Sequence, residues 1–161
     1  MNWDELYQMQ KNLDDDILMR TALTREEVLD EKILALLVEI GELANETRCF
    51  KYWSQKGPSE SSVILEEFVD GIHFLLSIGI DYGYRYQISE CIDHDEDLTT
   101  SFHKVYEKIN RFKQNPTNMH YQKLMDTYLG LGSKLNFTQE DIFHAYLDKN
   151  KVNHQRQQSG Y

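Results

Sequence analysis

Apolar residues recur at steps of three and four through most of this chain, which is the spacing of one face of an α-helix. Leu6, Met9, Leu13 and Ile17 form the first such stripe. Only two prolines and eight glycines occur in 161 residues, and this scarcity favours long helices over turn-rich β structure. No strand pattern, linker or internal repeat stands out. The sequence therefore predicts an all-α helical bundle in a single domain, residues 1–161.

Capping signals and the same periodicity predict the limits of six helices. Thr24 and Glu27 have the spacing of a capping box at the start of the second helix, and Thr138 with Asp141 marks the start of the last. A Gly-Pro-Ser break at residues 57–59 separates the second helix from the third. The predicted helices span about 3–20, 24–50, 61–82, 99–113, 117–131 and 138–151, followed by a polar, irregular tail over 153–161.

The net charge of −10 indicates which partners the surface can attract. An acidic surface repels a phosphate backbone, so nucleic-acid binding is not expected, whereas carboxylates can recruit a divalent cation. The N-terminus has no signal-peptide pattern, and the longest apolar run, residues 33–38, is too short to span a membrane. We therefore expect a cytoplasmic protein without membrane contact. Cys49 and Cys91 are expected to be buried apolar residues, and the acidic segment 93–97 a solvated loop.

Two pairs of carboxylates carry the strongest chemical signal. Glu39 and Glu42 lie three residues apart in the second predicted helix, as Glu67 and Asp70 do in the third, so each pair can face one point. Each pair interrupts an apolar stretch, where an uncompensated carboxylate is costly. A solvated face is the competing interpretation for either pair alone. Two pairs on successive antiparallel helices favour a site for Mg²⁺, or for Mn²⁺ in its place, because both ions prefer oxygen ligands.

Nearby residues leave alternatives open. Glu46 could be a further ligand or a rim residue, and Glu66 points away from Glu67 and is expected to be solvated or salt-bridged. A di-iron bundle would need Glu-x-x-His on two helices. His73 follows Asp70 at that spacing, but nothing comparable follows the second helix's pair, which argues against di-iron chemistry. For His73, a hydrogen-bonded histidine on the bundle wall is favoured slightly over a catalytic one.

Two further segments could hold an anionic, aromatic ligand. Trp53 could pack on a base and Lys51 or Lys56 could meet a phosphate, although a hydrophobic plug with snorkelling lysines explains residues 50–56 equally well. Lys149, Asn153 and Arg156 share a face if the last helix continues, and such donors suit phosphate oxygens. The alternative is a basic helix end favoured by the macrodipole.

Taken together, these segments resemble the dimeric, all-α dUTPases, relatives of the MazG-type pyrophosphohydrolases. The resemblance covers residues 6–14, 35–53, 66–74 and 149–161. The carboxylate pairs are shared by the whole superfamily. The Lys-Tyr-Trp segment, the Val-Asp-x-x-His-Phe segment and above all the Lys-Asn-x-x-Asn-x-x-Arg ending are specific to the dUTPase branch.

The resemblance implies a homodimer that hydrolyses dUTP, with Mg²⁺ neutralising the triphosphate and activating the attacking water, and it leaves dUDP open as a second substrate. This chain departs from the family pattern at two places. It has Asp14 where the family often has Asn, and its connection from Trp53 to Glu67 is short. The nearest alternative is a MazG-like or dCTP-type diphosphatase, and the alternative from another class is a non-catalytic helical interaction module. The implied roles are Glu39, Glu42, Glu67 and Asp70 for the metal, with Glu39 also orienting or deprotonating water; Lys149, Asn153, Arg156 and Lys56 for phosphates; and Gln10, Asp14, Trp53 and His73 for the nucleoside.

Overall fold

The computed structural model describes residues 1–89 and 95–161, and both parts are helical without a strand. This confirms the prediction of an all-α fold. A short 3-10 turn, Glu26–Val28, precedes the second helix. The helices are α1 (Trp3–Thr21), α2 (Leu29–Thr47), α3 (Ser61–Tyr82), α4 (Leu98–Gln114), α5 (Asn118–Lys134) and α6 (Gln139–Gln158).

The second helix is shorter than its periodicity predicts. Thr24 and Glu27 do form a capping box: the Thr24 amide donates to Glu27 Oε2 at 2.7 Å, and the Glu27 amide donates to Thr24 Oγ1 at 3.4 Å. This box opens the 3-10 turn and not the α-helix, which begins only at Leu29. α2 ends at Thr47 because Arg48 adopts a left-handed φ of 59°. The predicted limits of 24 and 50 are therefore wrong.

The last helix is longer than predicted. Thr138 and Asp141 form the expected capping box, but α6 continues to Gln158, so the prediction of an irregular tail is wrong for residues 153–158. The end of the helix is held by local contacts. The Tyr161 amide donates to the Arg156 carbonyl at 2.9 Å, and the Arg156 guanidinium lies 5.0 Å from the centre of the Tyr161 ring.

α3 occupies the centre of the bundle and packs against α1, α2 and α6. Two tyrosines of α5 approach its backbone closely: Tyr128 Oη donates to the Phe68 carbonyl at 2.6 Å, and Tyr121 Oη donates to the Leu75 carbonyl at 3.0 Å. The approach requires a glycine, since a Cβ at Gly71 would lie 2.1 Å from Tyr128 Oη. These buried contacts fix the part of α3 that carries the second carboxylate pair.

The remaining predictions about single segments have mixed outcomes. Cys49 is only half-buried, so the expectation of full burial is wrong for it. Cys91 and positions 93–94 of the acidic segment lie outside the described residues. Asp97, at the end of this segment, is the N-cap residue of α4: its Oδ1 accepts a hydrogen bond from the Thr100 amide at 2.8 Å. Among the described helices, none combines the length and apolar character needed to cross a membrane.

Candidate active site

Three carboxylates from two neighbouring helices converge at one point. Glu39 of α2 and Glu67 and Asp70 of α3 each offer an oxygen, and these oxygens lie within 4.8 Å of one another. Oε2 of Glu39 and Oε2 of Glu67 are buried and find no hydrogen-bond partner among the described residues. Glu42 is exposed and lines an adjoining depression together with Glu46 and Glu67. The structure therefore brings three of the four predicted ligands together and places the fourth at their edge.

The buried position of these carboxylates and their closeness to one another oppose their ionisation. Burial, followed by the neighbouring charges of Asp70, Glu42 and Glu67, raises the pKa of Glu39 to about 8. Burial and the same type of repulsion raise the pKa of Glu67 to about 7, and burial also raises the pKa of Asp70. Unpaired carboxylate oxygens at such distances fit a hard divalent cation, which satisfies the oxygens and removes the repulsion. The residues present are thus a suitable set of ligands for a divalent cation.

The two ambiguous glutamates have separate partners. Glu46 Oε2 accepts a short hydrogen bond from Ser59 Oγ in the segment before α3. Glu66 is exposed, and its Oε1 lies 3.1 Å from Nζ of Lys149. The prediction that Glu66 is solvated or salt-bridged is confirmed.

α6 presents the predicted array of donors on one face. Lys149, Asn153 and Arg156 all line one cavity, and Asp70 lines it with them. Lys149 Nζ lies 3.1 Å from Asp70 Oδ1, and although burial opposes its charge, the ion pairs with Asp70 and Glu66 raise its pKa. The continuation of α6 beyond residue 151 makes this arrangement possible, because it keeps the steps of four and three in register.

The cavity has a volume of about 380 Å³ and an apolar wall formed in part by Leu13, Ile17 and Phe74. Trp53 and Lys56 do not line it: Trp53 is 65% exposed and contacts the neighbouring Tyr52 edge-on. The cavity brings together eight of the residues that the sequence indicated, Gln10, Asp14, Glu39, Asp70, His73, Lys149, Asn153 and Arg156.

A hydrogen-bonded relay runs through the buried wall of the cavity. Ser77 Oγ donates to Asp14 Oδ2 at 2.8 Å, and Gln10 Nε2 donates to Asp14 Oδ1 at 2.9 Å. Gln10 Oε1 faces His73 Nδ1 at 2.6 Å and accepts from Tyr146 Oη at 2.9 Å. The His73 and Tyr146 rings stack at 4.2 Å. Burial and the charge of Lys149 lower the pKa of His73 to about 3, so its ring is neutral.

Sequence reasoning did not single out three residues of this wall. Ser77 lies four residues after His73 and seven after Asp70, so helical spacing places it on their face and could have indicated it. Lys32 lines the cavity and pairs with Asp81 at 2.7 Å, and Tyr146 joins the relay from α6. These two contacts join residues 49 and 136 positions apart, and no local pattern indicates them.

An all-α bundle with a carboxylate cluster from two successive helices, next to a cavity lined by cations and amides, is the arrangement that the sequence resemblance predicts for an all-α nucleotide phosphohydrolase. Comparison with protein families gives the particular member: the chain belongs to the dUTPase family, whose model matches residues 2–161. No individual curated protein matches the chain. Family membership makes the chain an enzyme, a dUTP diphosphatase, and confirms the resemblance seen in the sequence.

Proposed function

We propose that this dUTPase hydrolyses dUTP to dUMP and pyrophosphate in the presence of Mg²⁺, for which Mn²⁺ can substitute. The observation that supports the metal is the pair of buried, unpartnered oxygens on Glu39 and Glu67, within 4.8 Å of a third oxygen on Asp70. Glu42, at the edge of the cluster, would complete the set of ligands. When bound, the metal supplies the positive charge that neutralises the triphosphate and activates a water for attack.

The chain's own residues would act on the water and on the phosphates. Glu39 is suited to orient the water and accept its proton, because its buried Oε2 has no hydrogen-bond partner among the described residues and its side chain lines the cavity. Lys149 and Arg156 would hold phosphate oxygens and stabilise the charge that develops on them. Asn153, between them on α6, would donate a further hydrogen bond.

The nucleoside would occupy the part of the cavity where polar and apolar walls meet. Gln10, Asp14 and His73 provide the polar wall, and Phe74 lies on the apolar side. We propose that tight packing around the base and the sugar rejects a 5-methyl group and a 2′-hydroxyl, a steric filter. Cleavage of dUDP is part of the same proposal.

A homodimer is proposed from the family resemblance and from exposed apolar side chains. Leu34 and Val38 of α2 are 62% and 50% exposed, and Phe50, Tyr52 and Trp53 are exposed after the same helix. The roles of Trp53 in nucleoside binding and Lys56 in phosphate binding stay predictions, because both lie outside the cavity of a single chain. We also propose that residues 1–161 act as one catalytic domain, in the cytoplasm and without nucleic-acid partners.

The decisive experiment measures phosphate release from a panel of dNTPs, NTPs and dUDP, with inorganic pyrophosphatase as the coupling enzyme for the triphosphates, in Mg²⁺ and in EDTA. Turnover of dUTP that is absent in EDTA and in the Asp70→Ala and Glu42→Ala variants, at unchanged helicity, would support the proposal. Metal-dependent turnover of dCTP in place of dUTP would assign the site to the dCTP-type alternative. Full activity of both variants would remove the metal assignment.

A further inference from the structure

The connection between α1 and α2, residues 22–28, closes one end of the cavity. Leu23 and Val28 of this α1–α2 connection line the cavity with apolar side chains. Val28 is the N-cap residue of α2 and precedes Glu39 by about three helical turns. The connection therefore lies at some distance from the carboxylate cluster, although both belong to the same cavity.

Successive turns of α3 lead from the carboxylates to this end. Asp70, His73 and Ser77 follow one another at steps of three and four, and all three line the cavity. Asp81 lies one turn further along α3 and pairs at 2.7 Å with Lys32, which comes one turn after the connection. A ligand with its phosphates at the carboxylates and its nucleoside along His73 therefore extends toward the α1–α2 connection.

Arg25 ties the connection to two other helices. Its NH1 donates to Asp81 Oδ1 of α3 at 3.1 Å, and its NH2 donates a short hydrogen bond to Asp15 Oδ1 of α1. Asp14 Oδ2 is more distant, at 3.9 Å, and burial raises the pKa of Asp14, so the two nearer carboxylates are the main partners. The side chain of Asp81 is 1% exposed, and water therefore screens its ion pair with Arg25 less than a surface pair.

The rest of the connection has little to hold it against the cavity. α1 ends where Ala22 adopts a left-handed φ of 58°, a conformation that alanine rarely adopts. Among the described residues, the other side-chain hydrogen bonds of the connection are those between Thr24 and Glu27, and these stay within it. Leu23 is 44% exposed, so its packing alone fixes it weakly. Arg25 is therefore the anchor of this segment.

We propose that the α1–α2 connection is the wall that excludes a 5-methyl group, with Leu23 and Val28 as specificity-determining residues and Arg25 as the residue that positions them. This inference deepens the proposed function and rests on it for the identity of the nucleotide. The edge of a pyrimidine farthest from its sugar carries C4 and C5, so this edge is the part of the base that reaches the wall. A methyl group on C5 extends the base into the apolar side chains, whereas the hydrogen of uracil leaves them undisturbed.

The experiment compares kcat/KM for dUTP with kcat/KM for dTTP, which differs from dUTP only by the 5-methyl group, in the full-length protein with Mg²⁺. Leu23→Ala removes part of the wall, and Arg25→Gln releases its anchor. In each variant we expect the ratio of kcat/KM for dTTP to that for dUTP to rise by about tenfold, because discrimination against one such group in a pocket amounts to about 10- to 200-fold. A general loss of active enzyme lowers both values equally and leaves this ratio unchanged.

Two neighbouring positions on α1 provide matched controls. Met19 is 77% exposed and does not line the cavity, so Met19→Ala removes an apolar side chain without opening the wall. Arg20 pairs with Asp16 on α1 and does not line the cavity either, so Arg20→Gln removes the same charge as Arg25→Gln without releasing the connection. Both controls should keep the wild-type ratio of the two kcat/KM values.

Turnover of dUTP by the wild type tests the proposed function separately from the wall. If the wild type hydrolyses dUTP but the ratio stays unchanged in both Leu23→Ala and Arg25→Gln, the inference is overturned and the proposed function stands. A rise in Leu23→Ala alone would refute the positioning role of Arg25. If the wild type hydrolyses dCTP in place of dUTP, the proposed function fails, and the same comparison between dCTP and 5-methyl-dCTP decides whether the wall excludes the methyl group. A wild type that hydrolyses no nucleotide would overturn both.

Discussion

Nζ of Lys149 lies 3.1 Å from Oδ1 of Asp70, and this ion pair joins the face that is proposed to bind phosphates to the carboxylate cluster. Lys149 is only 12% exposed, so water and salt screen the pair less than a surface pair. The same ammonium group also contacts Glu66. Lys149 thus adjoins both the proposed metal ligands and the proposed phosphate site, and its substitution should disturb both.

Replacing this lysine tests that connection. Lys149→Gln keeps the length of the side chain but removes its charge, and we expect kcat/KM for dUTP to fall by about 100-fold or more, the usual effect of losing one donor to developing charge. Lys151→Gln removes the same charge from an exposed position two residues further along α6 and should change kcat/KM less than about twofold. Steady-state kinetics in saturating Mg²⁺ measures both. Equal effects of the two variants would show that Lys149 contributes only through the overall electrostatic potential of the protein and not through a direct contact.

Neutralising one carboxylate should affect activity and stability in opposite directions. Glu39→Gln is expected to reduce turnover by about 10²–10⁴-fold, because the amide can neither accept the proton nor bind the metal as well. In EDTA, however, the variant should have a higher Tm than the wild type, since repulsion among Glu39, Glu67 and Asp70 is relieved. Glu31→Gln, an exposed position of the same helix, controls for the change in net charge and should not raise Tm. A lower Tm of Glu39→Gln in EDTA would contradict the repulsion.

The stability of the metal-free protein should depend on pH with a definite sign. The folded pKa values of Glu39, about 8, and Glu67, about 7, lie above their ordinary value of 4.5, so the folded state holds protons that the unfolded state releases. Stability in EDTA is therefore expected to fall as pH rises from near 5 to near 8. Bound Mg²⁺ favours the ionised carboxylates, so the gain in Tm on adding Mg²⁺ should be larger at pH 8 than at pH 6. Thermal unfolding at both pH values measures this, and an equal or smaller gain at pH 8 would refute it.

The sequence predicted those features of the site that lie within one helix. The spacing of Glu39 and Glu42 and of Glu67 and Asp70 identified the carboxylates, because residues three apart share a helical face. The same reasoning placed Lys149, Asn153 and Arg156 on one face of α6. Helix limits were predicted less well. Residues 153–158 lack an apolar stripe, so their helicity could not be read from periodicity, and Thr24 with Glu27 capped a 3-10 turn where an α-helix was expected.

Contacts between distant residues could not be predicted from any local pattern. Gln10 and His73 are 63 residues apart, and their hydrogen bond depends on how α1 packs against α3. The position of Trp53 is a second example. Its motif suggested contact with a base, but the loop after α2 directs it away from the cavity of a single chain. Spacing identifies which residues share a face, whereas tertiary packing decides which faces meet.

The last prediction concerns the packing that holds α3 in place. Gly130 and Gly132 lie two residues apart on α5 and have opposite surroundings: a Cβ at Gly132 would lie 2.6 Å from Cζ of Phe68, whereas a Cβ at Gly130 meets nothing within 4 Å. Phe68 follows Glu67 in the chain and stacks on Tyr128 at 4.5 Å, so it has little room to move.

Gly132→Ala should therefore lower the free energy of unfolding by about 1–3 kcal/mol through overpacking against Phe68. Gly130→Ala should raise it by about 0.5–1 kcal/mol, because alanine restricts the unfolded chain and favours the helix. Both substitutions change the unfolded chain in the same way, so the difference between them isolates the contact of α5 with α3. Urea unfolding of the two variants measures that difference, and equal free energies of unfolding would mean that Phe68 does not pack against α5 as described.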